Sequence, residues 1–252
     1  MKSGLNILFI AAMTLLVATP GKADFVGFTI GASYWEPEVS GSFSSEGEAD
    51  IDLSDDLGVD DPSESSLVIS LEHPVPYLPN IRYQGVELDS SGRQALTGNI
   101  TFEGETYSAG ETVRTSLDLS HDDIVLYYEV LDNWVNLDIG LDVKRFDGEV
   151  SLVGSTNTIT SSIDVDETIP LLYLSAKFDL PFSGFYLGVD ISNLSSGDSS
   201  VDDTTVKLGY ESKSGFGLEG GIRQFNLELD DVDDLDSDLE YDGAFINGFF
   251  HF

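Results

Sequence analysis

Apolar side chains stand at every second position through most of this chain, in short segments separated by stretches rich in Ser, Gly, Asp and Pro. In residues 135–143 the odd positions are all valine, leucine or isoleucine, and the even positions are Asn136, Asp138, Gly140 and Asp142. Period two is the periodicity of a β-strand, because successive side chains of a strand point to opposite faces of the sheet. The sequence therefore predicts an all-β protein.

The alternating segments and the lengths of their connections predict a closed sheet. Short and long connections follow one another in turn, which is typical of bacterial outer-membrane barrels with short periplasmic turns and long outer loops. An even number of strands puts both termini on the periplasmic side. We therefore predict a closed antiparallel transmembrane β-barrel of ten strands, at residues 24–35, 65–73, 80–89, 113–131, 134–148, 167–180, 184–194, 204–212, 216–229 and 239–252.

Two of these segments change parity partway along. In 80–89 the apolar residues move from odd to even positions, and in 216–229 they move from even to odd positions. A β-bulge would shift the parity, and so would a strand that continues beyond the membrane. The alternative in which both segments fail as membrane strands leaves a barrel of eight.

The first 23 residues are predicted to be a secretory signal peptide. Lys2 supplies the positive start, residues 5–18 are the apolar region, and Gly21-Lys22-Ala23 is a small-x-small cleavage site. An N-terminal membrane anchor is the alternative, but this apolar run is shorter than the ~20 residues of a spanning helix. The predicted division is a signal peptide at 1–23 and an outer-membrane β-barrel at 24–252.

The C-terminal end supports the same location. Phe252 is the last residue, and Phe250, Ile246 and Ala244 precede it at positions of the same parity. This pattern resembles the C-terminal signal that the outer-membrane assembly machinery reads in barrel proteins of Gram-negative bacteria. We expect that machinery to be a partner of the last strand.

Several stretches also resemble a known family. They are Gly220-Gly221, Leu126-Tyr127-Tyr128-Glu129, residues 136–141 and the Phe-rich end. Their order along the chain resembles a family of uncharacterised bacterial outer-membrane β-barrels named for a Gly-Gly pair near the C-terminus. The resemblance implies a fold and a location, and it implies no activity and no site residues.

The charge of the chain excludes one class of partner. There are 46 Asp and Glu against 11 Lys and Arg, a formal net charge of −35, and no cysteine. Nucleic-acid binding requires clustered cations that neutralise phosphates, so no nucleic-acid partner is expected. The chain is nevertheless 41% hydrophobic, which is not typical of a disordered acidic segment.

The scarce cations are predicted to lie inside the barrel. By parity Arg82, Lys144, Lys177, Lys207 and Arg223 face the lumen, together with the acids Glu72, Glu129, Asp138, Asp142, Asp179, Asp190, Glu211 and Glu219. Charges buried in a narrow barrel are expected to pair, because an isolated buried charge is costly. The lumen is therefore predicted to be filled by ion pairs, and a small polar pore is the alternative.

A second alternative is a hydrolase at the extracellular rim. His121-Asp122-Asp123 resembles the Asp–His and acidic pairs of ten-stranded outer-membrane proteases, but one such pair means little among 46 acids. No GxSxG, HExxH or Gly-rich phosphate loop occurs. We assign no catalytic, cofactor-binding or metal-binding residue and expect no enzyme and no cofactor.

The stretch 230–238 is dense in aspartate. Asp234, Asp236 and Asp238 have the first spacings of a calcium loop, but Leu239 and Phe245 stand where Gly and Glu are required, so an EF-hand is excluded. Loosely bound divalent cations that bridge acidic loops to lipopolysaccharide remain an alternative to a solvated loop. The predicted function is a structural or interaction role in the outer membrane, with membrane lipids and lipopolysaccharide as partners.

Overall fold

The computed structural model describes residues 26–45, 47–155, 159–232 and 235–252. The predicted signal peptide at 1–23, Asp24, Asp233 and Asp234 lie outside the described residues. Within the described ranges, no helix is long and apolar enough to cross a membrane.

Ten antiparallel strands form a closed barrel, as predicted. Each strand pairs with its neighbours along the wall, and β17 returns to pair with β1 from His251 opposite Thr29 to Leu235 opposite Ser45. The barrel strands are β1 (Gly27–Ser45), β3 (Glu64–Glu72), β4 (Asn80–Glu87), β9 (His121–Leu131), β10 (Val135–Phe146), β13 (Thr168–Asp179), β14 (Phe185–Ser196), β15 (Ser199–Glu211), β16 (Phe216–Val232) and β17 (Leu235–His251).

Two connections that were expected to be long loops are strand extensions. β14 and β15 pair as far as Ser196 opposite Ser199, so the expected loop 195–203 shrinks to a two-residue turn. Gly197 takes a φ of 64° there, a conformation that favours glycine at the first position of a tight hairpin turn. The Asp-rich stretch 230–238 is likewise mostly strand, because β16 extends to Val232 and β17 begins at Leu235.

The outer surface of the barrel carries an apolar band. Ile139 and Leu141 on β10 and Leu187 on β14 are 43%, 51% and 51% exposed. Residues of the opposite parity, such as Asp142 and Lys144, are buried, with exposed fractions of 3% and 0%. A closed sheet with apolar residues outside and charges inside is the pattern of a membrane-spanning barrel.

The remaining strands form a cap on the side opposite the termini. We use "cap" for β2 (Ile51–Asp52), β5 (Asp89–Ala95), β6 (Ile100–Phe102), β7 (Glu105–Tyr107), β8 (Thr112–Asp118), β11 (Gly148–Gly154) and β12 (Thr160–Val165) with their connections. Strands β5, β8, β11 and β12 are hydrogen-bonded in the order β12-β11-β8-β5, which repeats the order β13-β10-β9-β4 of the barrel strands next to them in sequence. The cap sheet is therefore an extension of four neighbouring barrel strands, and the predicted single strand 113–131 is divided between β8 and β9.

A single apolar core joins the cap to the opposite wall of the barrel. Leu117 of β8 and Leu152 of β11 are fully buried in the same cluster as Phe43 of β1, Phe225 of β16 and Tyr241 of β17. The extended ends of β1, β16 and β17 therefore pack against the cap sheet as the second layer of a sandwich. This core closes the barrel at the end opposite the termini.

The core also explains the two strands whose parity changes. β4 and β16 keep their register where the apolar pattern shifts, so no bulge is present there. Leu88, just after β4, and Phe225 in β16 are fully buried in the cap core, whereas Ile81 and Ile222 face outward on the apolar band. Both strands continue beyond the band, and their inward positions become apolar where the lumen gives way to the sandwich.

Candidate functional site in the barrel lumen

A layer of ion pairs lies directly beneath the cap core. Lys144 of β10 is fully buried, and its ammonium group donates to both carboxylate oxygens of Asp123 at 2.9 Å. The same ammonium group lies 3.0 Å from Oδ2 of Asp203 on β15. Three strands are thus joined across the lumen through one lysine.

Arg223 of β16 completes this layer. Its Nε and Nη2 atoms donate to the two oxygens of Asp203 at 3.0 and 2.8 Å, and Nη1 lies 3.3 Å from Glu64. The guanidinium group also lies over the ring of Trp35, 4.7 Å from its centroid. Arg223 therefore contacts both the charged layer and an aromatic residue of the cap core.

A second charged layer surrounds Lys207 of β15. Its ammonium group lies 2.8 Å from Asp190 and 3.3 Å from Glu219. The hydroxyl of Tyr186 donates to Glu219 at 2.8 Å, and the side-chain amide of Asn247 donates to the other oxygen of Glu219 at 2.7 Å. These contacts bring β14, β15, β16 and β17 together in the lower lumen.

The other two predicted luminal cations differ from these. Lys177 lies near the end of the barrel that carries the termini, 3.9 Å from Asp179, with about a third of its side chain exposed. Arg82 stacks on Tyr173, with its guanidinium carbon 5.0 Å from the ring centroid, and donates to the Tyr173 hydroxyl at 3.2 Å. Within the described residues no carboxylate lies within 4.0 Å of Arg82.

Parity identified the cations correctly but missed three of their partners. Asp203 fell in a segment interpreted as a loop, and Glu64 lay just before the predicted start of its strand. Asp123 was considered only as part of the His121 motif. All three share the parity of inward residues on their own strands. Strands extended by a few residues would have revealed Asp203 and Glu64, and Asp123 already had the parity of Glu129 within its predicted strand.

His121 is enclosed by this layer and the cap core. It is 4% exposed and packs between Phe146 and Phe225, at ring-centroid distances of 5.0 and 5.7 Å. Its Nδ1 lies 2.8 Å from the Leu119 carbonyl oxygen, and its Nε2 lies 3.4 Å from the ammonium group of Lys144. Since Nδ1 donates to a carbonyl and Nε2 accepts from an ammonium, this histidine is neutral. Its burial and its contacts are those of a residue that stabilises the fold.

Two cavities lie along the lumen. The inner cavity is about 110 Å³ and lies between the two charged layers, lined by Asp142, Ser192 and Asn247 among others. The vestibule is about 480 Å³ and lies at the end of the barrel that carries the termini, lined by Glu72 and Asp138 among others. Side chains of Arg82, Tyr173, Asp190, Lys207 and Glu219 line both cavities and form the partition between them.

The acidic groups of the cap lie outside the membrane-facing band. Asp89 of β5 lies directly opposite Asp118 of β8, which in turn lies opposite Glu149 of β11. Partial burial and the charge of Asp118 raise the pKa of Asp89. Within the described parts of the chain, no three His, Asp or Glu side chains are arranged to hold a metal ion.

No family model and no curated protein matches the chain. Among solved structures it is similar to the outer membrane protease OmpT from Escherichia coli, with 10% identity over 94% of this chain and 99% of that chain and a TM-score of 0.48. It is also similar to the translocator domain of autotransporter NalP from Neisseria meningitidis, with 9% identity, 96% and 92% coverage and a TM-score of 0.45. Similarity at this level does not extend to function.

Proposed function

We propose that this protein is a closed outer-membrane β-barrel of a Gram-negative bacterium with a structural or interaction role and no enzymatic activity. The observation that carries the proposal is the apolar core that joins the cap to the opposite wall, directly above the Lys144–Asp203–Arg223 cluster. The barrel anchors a folded acidic cap on the outer side of the membrane. Membership of the Gly-Gly family remains a prediction.

The barrel wall supports insertion in a membrane. Large apolar side chains encircle its outer surface, and a soluble monomer rarely exposes so large a continuous apolar area. The predicted leader and the C-terminal strand, which pairs with β1 over its whole length, support export to the outer membrane. Lipids on the apolar band and the assembly machinery at the last strand are the partners that this location implies.

The two alternatives have less support from the geometry. A solute pore requires a continuous aqueous path, whereas two charged layers and the cap core cross the lumen. A hydrolase at the rim requires His121 to meet substrate, whereas this side chain is buried and donates to the Leu119 backbone. The pore remains the second candidate because both cavities are polar.

Lipopolysaccharide is the proposed contact of the outer acidic surface. On the strands that extend beyond the apolar band, Glu38 of β1 lies opposite Asp242 of β17, and Asp238 of β17 lies opposite Glu228 of β16. Like charges directly opposite each other destabilise a sheet unless counter-ions reduce their repulsion. Loosely bound divalent cations between these carboxylates and lipid phosphates would provide that compensation.

Two measurements test the proposal. Outer-membrane fractions analysed by electrophoresis with and without heating should show the mobility shift of a folded barrel. Purified protein in planar bilayers should give no steady conductance, because two charged layers and the cap core cross the lumen. A steady large conductance from the unmodified protein would contradict the closed barrel and favour the pore.

A further inference from the structure

We propose that the inner cavity is a binding site for a monovalent alkali-metal cation that enters from the periplasmic vestibule. The proposal concerns the lumen and not the cap, so it goes beyond the anchoring role described above. Its starting point is Asp142 of β10, which the ion pairs of the lumen do not include.

Asp142 is a buried carboxylate, and one of its oxygens makes no hydrogen bond to the described part of the chain. The residue is 3% exposed and lines the inner cavity. Its Oδ2 accepts a hydrogen bond of 2.7 Å from the Ser192 hydroxyl, but its Oδ1 is buried and has no hydrogen-bond partner among the described residues. No Lys, Arg or His nitrogen of the described residues lies within 4.0 Å of this carboxylate. A buried unpaired carboxylate is costly, so a positive charge at this place would stabilise the barrel.

The charges around the inner cavity do not balance. Six carboxylates line it or bind the cations beside it, namely Glu64, Asp123, Asp142, Asp190, Asp203 and Glu219. Four cations accompany them, namely Arg82, Lys144, Lys207 and Arg223. Three of the cations are each held by two carboxylates, and Arg82 stacks on Tyr173 instead. The cluster therefore has an excess of negative charge that a bound cation reduces.

The ligand atoms around Asp142 fit an ion of low charge. Asn247 also lines the cavity, and its Oδ1 is buried without a hydrogen-bond partner in the part of the chain that the structure describes. The hydroxyls of Ser33 and Thr205 are further oxygens in the lining. One carboxylate with neutral oxygens suits a hard monovalent cation such as Na⁺ or K⁺. The cavity of about 110 Å³ also has room for several water molecules, at roughly 10–15 Å³ for each.

The vestibule offers the route of entry. The cap core closes the other end of the lumen, and only a partition of side chains separates the inner cavity from the vestibule. Glu72, Glu129 and Asp138 line the vestibule, where Lys177 is the cation nearest the periplasmic end. An acid-lined cleft concentrates cations at its mouth. Ions from the periplasm therefore meet an attractive funnel before they reach Asp142.

Urea unfolding of the full chain in lipid vesicles tests the site. The salt is exchanged at constant ionic strength between NaCl or KCl and choline chloride, because choline carries the same charge and is much larger than an alkali-metal ion. The unmodified protein should unfold at a higher urea concentration in Na⁺ or K⁺ than in choline. Its free energy of unfolding should rise with the logarithm of the cation concentration once that concentration exceeds the Kd of the site. Asp142→Asn should abolish this dependence. Asp55→Asn, at an exposed connection of the cap, is the matched control and should retain it.

A direct measurement makes the test independent of the folding of any variant. Crystals of the unmodified protein soaked in Tl⁺, a heavy analogue of K⁺, should show an anomalous peak beside Asp142 Oδ1. Equal stability in alkali-metal and choline salts, or density beside Asp142 that exchanges with no cation, would overturn the proposal and leave a water-filled cavity. Stabilisation by Ca²⁺ but not by Na⁺ or K⁺ would overturn the assignment to a monovalent ion. Retained cation dependence in Asp142→Asn would overturn the assignment of the site.

Discussion

Arg223 binds Asp203 through two parallel hydrogen bonds, from Nε to Oδ1 at 3.0 Å and from Nη2 to Oδ2 at 2.8 Å. This bidentate pair lies at the end of the lumen, just beneath the cap core, and Asp203 also binds Lys144. Because two buried cations share the Asp203 carboxylate, the three side chains depend on one another for the compensation of their charges.

Removal of either cation should therefore destabilise the barrel strongly. We expect Lys144→Met or Arg223→Met to lower the free energy of unfolding by about 3–5 kcal/mol, because each leaves buried carboxylates without a partner. Arg93→Met, at an exposed position of the cap, should change it by less than about 0.5 kcal/mol. Urea unfolding of the three variants in lipid vesicles measures the difference. Equal stabilities would show that the luminal ion pairs do not hold the barrel together.

The lipid-facing assignment of β10 has its own test. Ile139 is 43% exposed on the apolar band, between Asp138 and Gly140 of the luminal face. Ile139→Arg should cost about 2–4 kcal/mol if the position lies near the bilayer midplane, because the charge enters hydrocarbon. Ile139→Val is the matched control and should leave folding intact. Efficient folding of Ile139→Arg into vesicles would place this face away from lipid.

Gly209 is predicted to be essential for the position of Tyr186. The two residues are cross-strand partners, and a Cβ atom added at Gly209 would lie 2.1 Å from the tyrosine ring. Gly209→Ala should displace the ring and break the hydrogen bond from its hydroxyl to Glu219. The free energy of unfolding should fall by about 1–3 kcal/mol. Gly248→Ala is the control, since a Cβ there meets no atom of the described residues within 4 Å. If unfolding experiments find the two variants equally stable, the tyrosine is not fixed by this contact.

The acidic row across the cap predicts a dependence on pH. Burial, and then the charge of Asp118, raise the pKa of Asp89 above its ordinary value of 3.8, so the folded cap binds a proton more readily than the unfolded chain. The stability that this proton contributes is present at acidic pH and is lost as the pH rises through the raised pKa.

The asparagine of Asp89→Asn cannot ionise, so this variant should not lose stability as the pH rises through the raised pKa of Asp89. Above the raised pKa the variant should be more stable than the parent by about 0.2–1 kcal/mol, since one of two facing charges is gone. Below 3.8 the difference should vanish. Unfolding midpoints measured across this range test the prediction, with Asp55→Asn at an exposed connection as the control. A stability gain that is independent of pH would exclude repulsion between Asp89 and Asp118 as its cause.

The alternation of apolar and polar residues was enough to predict the barrel. A strand that separates lipid from a charged lumen allows no slip by one residue, because a slip would put Asp138 and Asp142 into hydrocarbon. Parity alone therefore predicts Ile139 and Leu141 outside and Lys144 and Arg223 inside, as the structure has them. The count of ten strands followed from the same pattern together with the lengths of the connections.

The periodicity alone did not reveal where the membrane-facing part of a strand ends. Beyond the apolar band the inward positions become apolar and the outward positions become polar. In the sequence of β16, this change after Ile222 looks like an interruption of the strand alternation. Only the packed structure shows that Phe225 and Leu227 enter a core shared with the cap.

The sequence by itself determined the strand period, the closed barrel and the sign of each luminal charge. These features depend on the alternation, within each strand, of apolar residues that face lipid and polar residues that face the lumen. The tertiary structure decided which acid binds which cation, that His121 is enclosed, and that the barrel is closed at the end opposite the termini. Each of these depends on residues far apart in the chain, such as Glu64 and Arg223, which are 159 positions apart and meet only when the sheet closes. Long-range contacts of this kind have no signature in the period of any single strand.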